Sequence, residues 1–417
     1  GSRNTKEGNE MKHLILKPGK TILLLTMMLV CGSAYSQQLS DYLMQAKAFS
    51  RTGNPEASVR ILTEALGKQR DYRLFLERGD ANILIGKYPE ALADYNAANS
   101  LVPLSGEYGL AKVYALRGDA GTSVYHLELS MKSDFRKSEK EILLDPVFER
   151  IENRSEWRQF WRKSWYSIAE ERLSEIEYYS SAGRVEEASA SLNELMKVYP
   201  DSENTKYAEA LVHMSAGRLT SAVKILTGLA AADQANEKYL RTLGRVQDAL
   251  GNHAGASVTW SKLIGLEVAD PDLYLKRAES YSKTGENDKA VADLEKYLTL
   301  FPGEKNALRL AGRISAASGD NIRALSYFSE NLRNNPNDPQ CYIDRANSYL
   351  SARSWDWAVL DYAMALDLDP GNPDTWLNKG IALLNAGKTD DACHDFRKSF
   401  RMGNKRAAEY ISRHCIK

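Results

Sequence analysis

Six glycines stand on a fixed step of 34 residues: Gly183, Gly217, Gly251, Gly285, Gly319 and, after Arg353 takes one turn in the series, Gly387. Five places after each turn lies an alanine: Ala188, Ala222, Ala256, Ala290, Ala324, Ala358 and Ala392. Four places further comes a large apolar residue: Leu192, Leu226, Trp260, Leu294, Phe328, Tyr362 and Phe396. Seven places before the turn the chain carries Ala210, Gly244, Ala278, Gly312, Ala346 or Gly380, with Ile176 as the exception. A repeat of this length that is never interrupted by an insertion requires a stack of identical supersecondary units and cancels any domain count made from length.

Each unit reads as two amphipathic helices of about three turns. The glycine supplies a positive φ between them, the small residues let neighbouring helices approach closely, and the bulky ones are expected to fill the groove left between units. Pro200, Pro302, Pro336 and Pro370 end four of the units, since proline cannot continue a helix. The pattern resembles the tetratricopeptide repeat family, most clearly in Asp272 to Pro302 and Trp376 to Phe396. Three looser units precede it: Tyr42 to Ala65, Phe75 to Pro103, and Glu107 to Ser130, the last with Ser123 in place of the alanine.

The resemblance implies an all-α, right-handed superhelical α-solenoid of about ten helix-turn-helix repeats with a C-terminal capping helix. Units of this kind bury their apolar faces only against neighbours, so an elongated superhelix is expected rather than a globule. The expected organisation is an N-terminal array over 37–137, an aromatic connector over 138–168, a second array of seven repeats over 169–406, and a cap over 407–417. In the connector, Trp157, Trp161 and Trp165 recur every four residues. On a helix they would share one face. They are expected to cap the first array and dock it onto Ile168 and Leu173 of the second, or to offer an aromatic surface to a partner.

Residues 1–36 read differently. Gly1 to Glu10 are polar tag or upstream residues. From Met11, a basic segment with Lys12, Lys17 and Lys20, an apolar run from Thr21 to Val30, and Ala34-Tyr35-Ser36 have the order of a secretory signal cleaved before Gln37. The run is short of the ~20 residues a spanning helix needs. The protein is therefore expected to be exported and periplasmic, with an outer-membrane lipoprotein anchored through Cys31 as the alternative. In an oxidising compartment Cys393 and Cys415, each eleven residues from Asn404, would meet across an antiparallel hairpin and form a disulfide that staples the terminal helix. The adjacent His394 and His414 invite a zinc reading, but neighbouring helical residues point about 100° apart and do not converge on one ion.

Lysine plus arginine and aspartate plus glutamate each number 55. That balance gives no basic footprint for nucleic acid. No His-Glu-x-x-His, Gly-x-Ser-x-Gly or glycine-rich dinucleotide loop is present. Carboxylates such as Asp361 and Asp367, or Glu186 and Glu187, read as solvated helix faces. No enzyme activity, no cofactor, no metal and no small-molecule substrate are expected. The resemblance instead implies a concave surface lined by the first helix of each unit. There Arg241, Arg245, Lys283, Arg309, Arg313 and Asn347 would meet a protein partner, with Glu279 among them, unless the arginines pair with acids of adjacent helices. Guanidinium groups suit a carboxylate or an acidic peptide. The expected function is an interaction adaptor or scaffold of the bacterial envelope. Its alternative is a structural subunit of an outer-membrane secretion or assembly complex that binds through the convex face and the aromatic connector.

Overall fold

The computed structural model describes residues 39–415. The signal-like segment and Cys31 lie outside the described residues. Every regular element among the described residues is helical. None of these helices is long and apolar enough to cross a membrane.

Ten helix pairs follow one another. The first is α1 (39–51) with α2 (Pro55–Lys68), then α3 (Tyr72–Leu84) with α4 (Tyr88–Leu101), and α5 (Glu107–Leu116) with α6 (Ala120–Met131). The connector holds α7 (Glu139–Leu143), a 3-10 turn (Pro146–Phe148) and α8 (Ser155–Phe160). Seven pairs then run from α9 (Ile168–Ser181) through α22 (Thr389–Arg401), and α23 (Ala407–His414) ends the fold. All six glycines of the 34-residue series have φ between 70° and 83°. Arg353 takes the same left-handed turn at φ 58°, a conformation that costs a non-glycine residue free energy.

The packing follows the repeat. All seven alanines after the turns are fully buried, as are or nearly are the seven large residues that follow. The small residue on the first helix faces the large residue sixteen places on. A Cβ added at Gly244 would stand 2.7 Å from the Trp260 ring, at Gly312 2.5 Å from Phe328, and at Gly380 2.6 Å from Phe396. Where the place holds Ala210 or Ala278, the partner is the smaller Leu226 or Leu294. Size is thus traded across five of the seven helix pairs, as close packing favours, whereas Ala346 faces the large Tyr362 and Ile176 faces Leu192. In the third unit Ser123 is fully buried and its hydroxyl donates to the Ala111 carbonyl at 2.8 Å, so the substitution for alanine keeps its polar group satisfied.

A second rule runs along the same pairs. Arg78, Arg277, Arg345 and Lys379 each precede the small residue and pair with an aspartate sixteen places on: Asp94 at 2.6 Å, Asp293 at 2.7 Å, Asp361 at 2.7 Å and Asp395 at 3.2 Å. All four aspartates are buried. Asp361 is therefore not the solvated carboxylate expected from its helix, because Arg345 holds it bidentately inside the unit.

The array does not stay open. The α1 helix returns onto the seventh pair, α15 (Asp272–Thr284) with α16 (Asn287–Leu300). Lys296 reaches Asp41 at 2.8 Å, Lys47 donates to the Ala269 carbonyl at 3.1 Å, and Arg51 pairs with Asp272 at 3.2 Å while lying over the Phe301 ring. Leu39, Tyr42, Leu43 and Met44 share a core with Ala269 and Leu300, and Ala48 joins that of Ala290 and Leu294. The elongated superhelix expected from the repeat is corrected here. Stacked units rotate steadily, so a long enough array brings its first apolar face back to a later unit, and burying that face favours closure.

The connector also departs from expectation. The α8 helix stops at Phe160, so Trp157, Trp161 and Trp165 do not share a helix face. Trp161 caps it, and Trp165 lies beyond it with its indole donating to the Phe160 carbonyl at 2.8 Å. All three pack with Phe148, Phe160, Leu127 and Met131 on the third unit. They do not dock onto Ile168, which is 62% exposed, or Leu173, which belongs to the core of the second array. The Tyr166 hydroxyl donates to the Lys137 carbonyl at 2.8 Å and closes the connector on itself, while Arg136 pairs with Glu170 of α9 across the junction to that array.

Candidate functional site: a cationic hollow on the concave face

The first helices of units six, seven and eight are α13 (Glu237–Ala249), α15 and α17 (Lys305–Ala317). They enclose a hollow of about 640 Å³. Arg245, Lys276, Glu279, Lys283, Arg309 and Arg313 line it, with Asp248, His253, Trp260, Asn306 and Leu310. Five of the residues singled out from the sequence are thus gathered into one site: Arg245, Glu279, Lys283, Arg309 and Arg313. Their spacing of four on α15 and α17, and the 34-residue step from Arg245 through Glu279 to Arg313, put them on the same side of neighbouring first helices.

The acids of the hollow are already committed. Asp248 accepts from the Trp260 indole at 2.9 Å and from the Ser280 hydroxyl at 2.8 Å, and it faces His253 at 3.0 Å. Glu279 pairs with Lys276 at 2.9 Å. Arg309 is held by Asp344 at 2.8 Å. Burial keeps the Asp344 carboxyl above the ordinary aspartate range, with Arg309 and the Gln340 amide pulling the other way. By contrast Arg245, Lys283 and Arg313 are exposed and have no ion-pair or hydrogen-bond partner among the described residues. Five cations against two carboxylates, three of those cations free, leave a positive hollow on a chain of zero net formal charge.

Two expected groove residues are placed elsewhere. Arg241 sits between Glu237 at 2.6 Å and Asp270 at 2.7 Å. Burial works against its charge, but these two acids outweigh burial and raise its pKa. Its charge is spent within the fold. Asn347 accepts from the Tyr362 hydroxyl at 2.6 Å and lies in the ninth unit, away from the hollow. Pairing of arginines with neighbouring acids therefore holds for Arg241 and Arg309 and fails for Arg245 and Arg313. Sequence reasoning missed Trp260, Asp248 and Lys276. The indole was counted only as core, and its polar edge, which ties Asp248 into the wall, carries no periodic signal.

At the far end, Cys393 and Cys415 are disulfide-bonded with Cα atoms 5.5 Å apart. The α23 helix begins at Ala407, and Cys415 is the residue that follows it. Tyr410 stacks on Phe396 at 4.9 Å, so the bond and a ring pair hold the same short helix. His394 points into solvent, its side chain 70% exposed. The remaining described cysteine, Cys341, is free and buried.

Family models described as Tetratricopeptide repeat match residues 43–104, 275–339 and 362–394. The chain is a tetratricopeptide-repeat protein. A TPR repeat-containing protein of Methanocaldococcus jannaschii is 22% identical over 361 residues, covering 83% of this chain and 60% of the relative. The human mitochondrial import receptor subunit TOM70 is 26% identical over 145 residues, which is 33% of this chain and 23% of the receptor. The chain therefore spans 60% or less of the length of these relatives. Among solved structures, a tetratricopeptide repeat protein from Parabacteroides merdae is 18% identical with a TM-score of 0.43, covering 58% of this chain and 96% of that one. Tetratricopeptide-repeat proteins are in general non-catalytic adaptors that bind other proteins.

Proposed function

We propose that this protein is an exported adaptor of the bacterial envelope that holds an acidic segment of a partner protein in the hollow between α13, α15 and α17. The observation that carries the reading is the free state of Arg245, Lys283 and Arg313 beside acids that are already paired. Unpaired guanidinium groups on a curved, partly apolar wall bind carboxylates by charge-assisted, bidentate hydrogen bonds. An extended chain or a helix of the partner would lie along the concave face, with the carboxylates fixing its register. The Cys393–Cys415 bond supports an oxidising compartment, in keeping with the signal-like segment that ends at Ser36.

The test is binding of a fluorescent oligo-glutamate peptide. Arg245→Glu with Arg313→Glu is expected to weaken it at least tenfold, with a salt dependence that flattens in parallel. Arg241→Gln should leave binding within twofold, because its charge is internally paired. Equal loss in all three positions, or none, overturns the hollow as the site. Mature material isolated from an envelope fraction should begin at Gln37 and take up alkylating agent at Cys393 and Cys415 only after reduction.

A further inference from the structure

The second helix of the ninth unit, α20 (Trp355–Leu368), carries apolar residues on its outward face as well as on its buried one. Trp357 is 62% exposed, Leu360 56%, Met364 45% and Leu368 42%. Their spacing of three, four and four puts them in one stripe roughly 16 Å long, at 1.5 Å per residue. The same four places one unit earlier hold Arg323, Ser326, Glu330 and Asn334, and one unit later Asp391, His394, Lys398 and Met402. The repeat does not require an apolar surface there. Other large apolar residues are exposed along the solenoid, such as Ile322, Leu84 and Val258, but four on one face of a single helix make a contiguous patch, and such a patch marks an interaction surface.

Charge along the helix selects the occupant. At the N-terminal end stand Arg353 and Lys388, at the C-terminal end Asp367 and Asp369, all exposed. Lys388 is engaged by Asp356 at 2.8 Å, whereas Arg353 and Asp367 have no ion-pair partner among the described residues. A helix that is basic at one end, acidic at the other and apolar between is complementary to itself when turned end for end. That is the condition for an isologous two-fold contact. An anionic membrane surface would be repelled by the acidic end. We propose that α20 is a self-association surface, on which a second copy of this chain lays its own α20 antiparallel, so that Arg353 of each copy faces Asp367 of the other. The stripe is on the second helix of unit nine and shares no residue with the hollow, which is lined mainly by the first helices of units six to eight, so pairing leaves both hollows open and makes the adaptor bivalent. A contact of this size falls in the weak, reversible class, with dissociation expected on the order of micromolar concentrations.

Sedimentation velocity of the full chain across a wide concentration range tests the proposal. A concentration-dependent dimer is expected. Leu360→Glu with Met364→Glu should weaken it at least tenfold without moving the thermal melt, since both side chains are outside the core. The stricter arm uses Arg353→Asp and Asp367→Arg. Each alone should be largely monomeric, and a mixture of the two should recover the dimer, since both crossed contacts then carry opposite charges. A chain that stays monomeric throughout, a dimer indifferent to the α20 changes, or a mixture that fails to associate overturns the proposal. So does binding of anionic vesicles through α20 in place of dimerisation.

Discussion

The connector over the third unit and the terminal helix over the tenth cover the same kind of exposed face with different chemistry. The connector does it with buried area: Phe148, Trp157 and Phe160 are all buried, and the rings contact one another at centroid distances of 5.2 to 6.0 Å. The terminal helix has eight residues and one fully buried side chain, Ala407. It relies on Tyr410 against Phe396 and on the Cys393–Cys415 bond. A cap that buries several large aromatics stands by hydrophobic burial alone, whereas a two-turn helix at the end of the chain would fray and needs a covalent tie. The difference teaches that the end of the second array depends on redox conditions and the end of the first array does not.

Four measurements would break or sharpen that contrast. The largest effect is expected for Trp157→Ala, at about 3–5 kcal/mol, the range for truncating a buried aromatic. Chemical denaturation should show the loss in units one to three, with the second array little changed. If both arrays lose stability equally, the connector is not a local cap. Reduction of the disulfide, which closes a separation of 22 residues, should cost about 3 kcal/mol by loop entropy. Hydrogen exchange should then speed up over 407–414 and stay unchanged over 139–160. Next comes Gly312→Ala, whose new Cβ would press on Phe328 at 2.5 Å. A cost of about 1–3 kcal/mol from overpacking is expected, and adding Phe328→Leu should recover part of it.

The most gradual effect, smallest per pH unit, concerns the first array. Glu77 has its pKa raised from an ordinary 4.5 to about 7, first by burial, then by Asp80, against the pull of Lys47 and Lys112. A carboxyl that binds its proton more tightly folded than unfolded stabilises the fold fully below the unfolded pKa. That contribution is lost as pH rises through the folded value. The stability of the first array should therefore fall between about pH 4.5 and 7, by at most about 1.4 kcal/mol per pH unit. Glu77→Gln should flatten the slope in that window. An unchanged slope would assign it to other groups. The terminal helix, with no such carboxyl, should show no matching transition.

The grouping of the hollow's cations was partly legible in the sequence. The 34-residue step puts Arg245, Lys283, Arg309 and Arg313 on equivalent faces of first helices, and the structure gathers them in one hollow. What the step could not say is which charges are free. Arg241 and Arg245 look alike in sequence, one turn apart. Glu237 one turn back on α13 and Asp270 from the turn before α15 both engage the first, and neither reaches the second. The buried pairs such as Arg78 with Asp94 and Arg345 with Asp361 were readable as a basic residue before the small one and an aspartate sixteen places on. They went unread because a charged residue on a helix is normally solvated. The three tryptophans misled in the opposite sense: their four-residue spacing suits a helix that in fact stops at Phe160.

The sequence by itself determined the repeat, its turns, its buried alanines and the pairing of small with large residues, because these are contacts within a unit or between neighbours, fixed by local spacing. Tertiary structure alone decided that α1 closes onto the seventh pair across more than 220 residues, which cations remain unpaired, and that the connector aromatics do not reach Ile168 and Leu173 of the second array. Those outcomes depend on the accumulated rotation of many units and on groups brought together from distant turns. A pattern with a 34-residue period carries no information at that range.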